Sequence, residues 1–255
     1  MFRVNKVYQK RAMCFCPYHK SQKGSADLDV TIEGPYSGKW YCYSCQKSGT
    51  IPMHEVEKLR KMRGELKVKQ SVTNWHSLNQ SYIKKRFESG VFPPLKVSVP
   101  VLAQLEWGWD GTAHTFPERD AKDNITGILR RFPDRNKGVV SGSRRGLTIP
   151  RINFSQTEPL YITEGMSDLS VILECGMQGI ARSNCNANVQ DVYDWMESKE
   201  IEFAIVIPDN DEPGLKGMRE LMNHRGWDAK IPTNKDLYKM YENLGKDKVK
   251  SWLKQ

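Results

Sequence analysis

The 255-residue chain reads as an α/β protein, α+β overall, in which a small cysteine-bearing ribbon and a linker precede a core that ends in a mainly parallel sheet. Three observations predict this. Four of the six cysteines fall before residue 46, in a short polar segment rich in Gly, Tyr and Ser. From Leu160 onward, apolar runs ("LYIT", "GIAR", "FAIVI", "DAKI") alternate with stretches of helical spacing ("DLSVILECG", "VQDVYDWMES", "GLKGMRELMNHRG", "DLYKMYENLG"). Alternation of this kind implies parallel strands covered by helices. Two of the apolar runs end directly in acids, at Glu164 and at Asp209 to Glu212.

The first unit spans residues 1–52. "CPYH" supplies Cys16 and His19, and "CYSC" supplies Cys42 and Cys45. Two close pairs separated by a loop make the four-ligand tetrahedron that one structural zinc ion requires, with no position open to water. Reduced intracellular thiols favour ligation over disulfides. So small a module lacks the apolar surface to fold alone, and metal binding supplies the missing free energy. Cys14 is a spare, in poorer register with His19, and Cys175 and Cys185 have no partner spacing. Between the pairs, "VTIEGPYSGKWYCYSC" alternates as a β-hairpin. Basic residues interleaved with aromatics suit a single nucleic-acid strand; Lys39 and Trp40 are the expected exposed contacts, with Tyr41 turned inward.

Residues 53–90 form a helical and basic linker, in which "MHEVEKLRKMR" and "SLNQSYIKKRFES" have helical spacing. Residues 91–156 read as a basic subdomain of short strands and turns, and residues 157–255 as the α/β unit with C-terminal helices. At carboxyl ends of neighbouring parallel strands, side chains converge on one crevice, so Glu164 can meet Asp209 and Asp211. An isolated D-x-D is often only a solvated turn. Three carboxylates together call for cations, and all-oxygen ligation favours about two Mg2+ or Mn2+ ions. Such ions organise polyphosphates and promote displacement at phosphorus.

Composition narrows the partners. Thirty-nine basic residues against 30 acidic ones give a net charge of +9 and a pI near 9.2, which suits a polyanion such as nucleic acid. No apolar run approaches the roughly 20 residues needed to cross a bilayer, and "MFRVNKVYQKRAMC" lacks a signal peptide's apolar core; a cytoplasmic, nucleoid-associated protein without membrane contact is expected. No G-x-x-x-x-G-K-[ST] loop is present, so the sequence holds no helicase motor.

E-G followed by D-x-D-x-x-G on successive strands resembles the Toprim fold of primases, topoisomerases and some nucleases. The Cys-His-Cys-Cys set resembles the N-terminal zinc ribbon of DnaG-type and phage-type DNA primases, and together the two resemblances cover most of the chain. "NITGILRRFPDRNKGVVSGSRRGLTIP" is similar to the basic part of the primase polymerase core, and "TNKDLYKMY" to an element that adds Asp236 to the acidic site. The resemblance implies a DNA-directed RNA polymerase of primase type, making short RNA primers from NTPs on single-stranded DNA for phage, plasmid or mobile-element replication. It implies that Glu164, Asp209 and Asp211 hold magnesium, with Asp168 and Asp236 auxiliary. Arg130, Arg131, Lys137, Arg144 and Arg145 are the candidate triphosphate or template contacts, and Asn184 and Asn186 weaker ones. With no helicase-binding domain after "KDKVKSWLKQ", a helicase or initiator is expected in trans, or the chain is a fragment. Two other readings compete: a Toprim nuclease or topoisomerase-like strand cleaver, for which no tyrosine has identifiable context, and a non-catalytic single-stranded-DNA-binding replication factor.

Overall fold

A computed structural model describes residues 2–8, 10–18, 26–69, 73–134, 136–184, 187–223 and 226–255, with backbone alone for 63–69. The chain divides into two compact units, Met1–Thr73 and Asn74–Gln255.

The first unit is a five-stranded antiparallel sheet in sequential order, β1 (Arg3–Val7), β2 (Arg11–Phe15), β3 (Leu28–Thr31), β4 (Lys39–Cys42) and β5 (Ser48–Thr50). Period-2 alternation sends Ala12, Cys14, Leu28, Val30, Trp40 and Cys42 to one face. Helix α1 (Met53–Lys69) seals that face with buried Val56 and Leu59, and its Arg60 Nε donates to the Ile32 carbonyl at 2.7 Å. Gly49 pairs with Trp40 across the β4/β5 ladder; a Cβ there would lie 2.8 Å from the indole.

The second unit opens with α2 (Trp75–Ser89), capped by Asn74 and ended by Gly90 at φ +62°. The segment read as a linker thus contains two helices, α1 inside the first unit and α2 inside the second. After α3 (Val99–Gln104) comes an antiparallel sheet, β6 (Gly108–Trp109), β7 (His114–Arg119), β8 (Ile125–Arg131) and β9 (Lys137–Val139), in that order. The chain then runs through β10 (Leu160–Thr163), α4 (Met166–Glu174), β11 (Gly179–Ala181), α5 (Val189–Ser198), β12 (Ala204–Ile207), α6 (Glu212–Met222), β13 (Asp228–Ala229), α7 (Leu237–Leu244) and α8 (Lys246–Lys254). These last four strands pair in parallel in the order β11-β10-β12-β13, the α/β arrangement expected. Phe203, read as part of a buried strand, lies outside β12 and is exposed.

The parallel sheet sits on a core of Leu160, Ile162, Ile180, Val192, Trp195, Val206 and Leu221. Leu147 and Thr148 join the two sheets. Leu147 exchanges backbone hydrogen bonds with Arg119 of β7, both 2.8 Å, and Thr148 does the same with Ala181 of β11, at 2.8 and 3.0 Å. Gly146 allows this approach, since a Cβ there would stand 2.3 Å from the Arg119 carbonyl oxygen. Among the described residues no helix is long and apolar enough to cross a membrane.

Candidate functional site

Strand β10 leads into α4, which returns to β11 on one side; β12 then lies on the other side of β10. The order therefore reverses between β10 and β12, and the crevice beyond the carboxyl ends of such strands is where ligands settle in open α/β sheets. Thr163 pairs with Ile207 at that end, so Glu164 and Asp209 emerge side by side. The Asp209 N–H donates to Glu164 Oε2 at 3.3 Å. Asp211 caps α6, its Oδ1 accepting the Gly214 N–H at 2.9 Å. A Cβ on Gly214 would lie 2.4 Å from the Asp209 carbonyl oxygen and 3.0 Å from Glu164 Oε2, so the helix passes this close only as glycine.

A second loop brings more acid to the same place. Asn210 donates from its backbone to the Lys235 carbonyl at 2.7 Å and from Nδ2 to the Pro232 carbonyl at 3.1 Å. This ties the D-x-D turn to the start of α7, where Asp236 is the cap and accepts the Lys239 N–H at 2.6 Å. Asp168, in the first turn of α4, is buried and accepts the Tyr238 N–H at 2.8 Å. The sequence-predicted acids Glu164, Asp168, Asp209, Asp211 and Asp236 therefore gather beyond the adjacent ends of β10 and β12.

Their electrostatics follow from that crowding. Burial, reinforced by the charges of Asp236 and Asp209, pushes Asp168 up to about 7, against the Tyr238 N–H and the charge of Lys137. Burial and then the charges of Glu164, Asp236 and Asp211 push Asp209 up to about 6, again opposed by Lys137. A carboxyl whose folded pKa lies above its unfolded value of 3.8 stabilises the fold most while protonated, and that stability is lost as pH rises through the folded value. Asp168→Asn is accordingly expected to raise the melting temperature above about pH 7 in magnesium-free buffer, and the gap should narrow below that and close toward about pH 4. A gap of equal size at both pH values would show that the charge of Asp168 is not the cause.

The basic candidates divide. Lys137 is exposed on β9 and, with Arg145 and Glu164, lines a cleft of 420 Å³. Arg145 holds Glu118, 1% exposed, through Nε at 2.7 Å and Nη2 at 2.8 Å, and reaches the Ser183 carbonyl at 3.2 Å. Arg130 is engaged within its own sheet by Asp110 at 2.6 Å and Thr112 at 2.7 Å. Arg131 reaches Ser167 at 3.1 Å, next to Asp168, and exposed Arg144 pairs loosely with Asp120 at 3.8 Å. Asn184 is exposed beside Ser183; Asn186 and Cys185 lie outside the described residues. Glu118 and Arg182, which also line the cleft, were missed by sequence reasoning, because one sits inside a strand and the other reads as the end of one.

In the ribbon, one ligand atom from each of Cys16, Cys42 and Cys45 falls within 4.8 Å of the others. The Cys16 and Cys45 sulfurs are 3.7 Å apart, matching the edge of about 3.8 Å of a tetrahedron built on zinc–sulfur bonds of about 2.3 Å. The cluster is compatible with one zinc ion. The C-x-x-C knuckle is closed by backbone bonds from Gln46 to Cys42 and from Cys42 to Lys47, both 2.9 Å, with Gln46 at φ +58°. Cys14 is buried outside the cluster, and burial raises its thiol to about 11. His19 lies outside the described residues. Among the described residues this is the one group of three or more such ligands so closely set; the carboxylates are spaced more widely.

One expected orientation is reversed. Trp40 is buried, edge-on to Phe2 at 5.5 Å and stacked on Tyr18 at 5.9 Å, whereas Tyr41 is exposed. Cys42 must face its fellow sulfurs, and a period of two places Trp40 on the same side. The outer face instead carries Tyr41 and Tyr43 in an edge contact at 5.4 Å, beside Asp29 and Arg11, with the Lys39 ammonium over the Tyr36 ring.

No protein-family model matches the chain, and no curated protein sequence does. Solved structures do. The zinc-binding and RNA polymerase domains of the Aquifex aeolicus primase align at a TM-score of 0.55 and 14% identity, over 99% of this chain and 80% of that one. The primase fragment of the bacteriophage T7 primase-helicase protein aligns at 0.53 and 18%, over 93% and 96%. A DnaG primase catalytic domain bound to single-stranded DNA aligns at 0.54 and 14%, over 71% and 77%. Ribbon and core together, the chain has the fold of the DnaG-type and phage-type primases.

Proposed function

We propose that the chain is a DNA primase, synthesising short RNA primers on single-stranded DNA by metal-dependent nucleotidyl transfer. One observation carries the reading: Glu164 and Asp209 end adjacent parallel strands where the sheet order reverses, with Asp211, Asp168 and Asp236 beside them and Lys137 within their field. That this occurs in a primase fold with a zinc-compatible cluster supports it. The neighbours include primase domains bound to an RNA/DNA hybrid and the primase fragment of a primase-helicase protein, and a helicase partner in phage, plasmid or mobile-element replication is part of this reading.

The all-oxygen donor set, and the burial and mutual repulsion that together raise Asp168 and Asp209, fit a hard divalent cation, Mg2+ or Mn2+. Glu164, Asp209 and Asp211 would hold it, with Asp168 and Asp236 shaping the field; bound there, it would neutralise phosphate oxygens and ease ionisation of a hydroxyl. The chain's own residues do the placing. Glu164, fixed by the Asp209 N–H, faces the cleft where a 3′ hydroxyl attacks the α-phosphorus of a second nucleotide and pyrophosphate leaves. Lys137 and Arg145 balance phosphate charge there, with Arg144 and Arg131 at wider reach. Zinc held by Cys16, His19, Cys42 and Cys45 would keep the ribbon folded.

The test is an incubation of the protein with single-stranded DNA, labelled ATP, all NTPs and magnesium, resolved on a denaturing gel. A ladder of short template-dependent products supports the reading, shortened template points to a nuclease, and binding without either points to a non-catalytic factor. The ribbon's outer face takes part in template contact on this reading. Tyr41→Ala and Tyr43→Ala should each weaken single-stranded DNA binding by about 1–3 kcal/mol without lowering the melting temperature, whereas Trp40→Ala should destabilise the ribbon. Fluorescence anisotropy and thermal melts separate the two effects.

A further inference from the structure

The outer face of the ribbon sets a guanidinium beside two aromatic rings. Period-two alternation turns Arg11 of β2, Asp29 of β3 and Tyr41 of β4 to this one side, away from buried Cys14 and Cys42. Asp29 is the direct cross-strand partner of Tyr41. Its Oδ2 accepts from Arg11 Nη1 at 2.9 Å and from the Tyr43 hydroxyl at 3.3 Å, so one carboxylate oxygen orients a cation and a ring together. Tyr41 and Tyr43 are 42% and 59% exposed and meet edge to face at 5.4 Å.

The bond to Asp29 selects which part of the guanidinium is offered outward. With Nη1 engaged, the parallel Nε–H and Nη2–H edge of Arg11 has no partner among the described residues, and the side chain is 63% exposed. Two donors fixed side by side in one plane match the paired O6 and N7 acceptors of guanine, whereas adenine sets a donor beside N7 and thymine offers O4 alone. Single-stranded bases are recognised by joining such an edge contact to stacking on an aromatic ring. Stacking alone accepts any base. Of the other arginines of this unit, Arg60 donates to the Ile32 carbonyl and Arg3 lies over the Phe15 ring at 4.8 Å, so Arg11 is the fork that stands with the tyrosines.

We propose that Arg11 is a specificity-determining residue of the ribbon, reading the O6 and N7 edge of one guanine in single-stranded DNA while that base stacks on Tyr41 and Tyr43. The choice of a DNA strand rests on the primase reading, and the test separates the two. The intact wild-type chain, Arg11→Gln and Arg11→Lys, all in zinc-containing buffer, are titrated by fluorescence anisotropy with labelled oligothymidylates that carry a single central guanine, 7-deazaguanine or adenine. Salt dependence and melting temperature are measured alongside. Wild type is expected to bind the guanine oligonucleotide about 5–150-fold more tightly than the adenine one, the range of one bidentate base contact. The oligonucleotide with 7-deazaguanine, which lacks the N7 acceptor, should fall in between. Arg11→Gln should lose the preference while binding the adenine oligonucleotide as wild type does, and Arg11→Lys should lose most of it, because an ammonium lacks the fixed pair of donors. An ion pair this exposed contributes little to stability, so melting temperatures should not change. No guanine preference in wild type, or one that survives in Arg11→Gln, overturns the proposal. So does equal weakening on all three oligonucleotides with the salt slope lowered by about one, which would make Arg11 a phosphate contact. Loss of the preference together with a lowered melting temperature in both variants would make the residue structural, and that overturns it too. An Arg11-dependent guanine preference in a protein that makes no primer would uphold the site and overturn the primase reading; primer synthesis without the preference would do the reverse.

Discussion

Asp209→Ala is expected to lower primer synthesis at least about a hundredfold, the scale of losing one charge-stabilising group at a reacting centre, while single-stranded DNA binding changes little. Asp209 is the hinge of the acidic set. Its N–H holds Glu164, its carboxyl is raised by burial and by the charges of Glu164, Asp236 and Asp211, and the turn that carries it is pinned to the start of α7 by Asn210. Asp209→Asn keeps the backbone contact and the side-chain volume but removes the charge, so the two variants should fail alike if charge is what matters. Gel quantification of labelled primers under saturating NTP and template checks this. Activity within about threefold of wild type in Asp209→Asn would mean that the carboxylate does not serve the reaction.

Cys42→Ser should unfold the ribbon unit while leaving residues 74–255 folded. Cys42 is fully buried, one of three converging sulfurs, and also the residue whose backbone closes the knuckle. The unit has a core of about ten side chains, and structural zinc supplies on the order of 10 kcal/mol in small zinc domains. Limited proteolysis should then remove the first unit and spare the second, itself a compact unit. Template-dependent synthesis should fall while NTP binding to the remaining unit persists. A protease-resistant ribbon in Cys42→Ser would show that the packing of Trp40, Leu28 and α1 suffices without metal.

The elements that sequence made legible are those whose signal is local. Cys16, Cys42 and Cys45 declare themselves by spacing, and the parallel strands by apolar runs that stop at turn formers and acids. Asp211 and Asp236 stand at helix starts, where an aspartate is both a cap and a signal. What escaped depends on partners distant along the chain. Trp40 and Tyr41 differ by one position, and only the requirement that Cys42 face the other sulfurs fixes which of them is inside. Arg130 and Arg145 look alike in sequence, yet Asp110, 20 positions away, takes one and Glu118, 27 positions away, the other. Burial of Arg182 becomes visible only once β11 has been laid beside β10.

The splice made by Leu147 and Thr148 has a mechanical meaning. Four backbone hydrogen bonds run from β7 through this segment to β11, so the antiparallel and parallel sheets form one hydrogen-bonded plate rather than two hinged jaws. Parting the two sheets at this seam would break those bonds, so the relative placing of the sheets is fixed when the core folds. The amides of Leu147, Thr148 and Ala181 should therefore be among the last in the chain to exchange with deuterium.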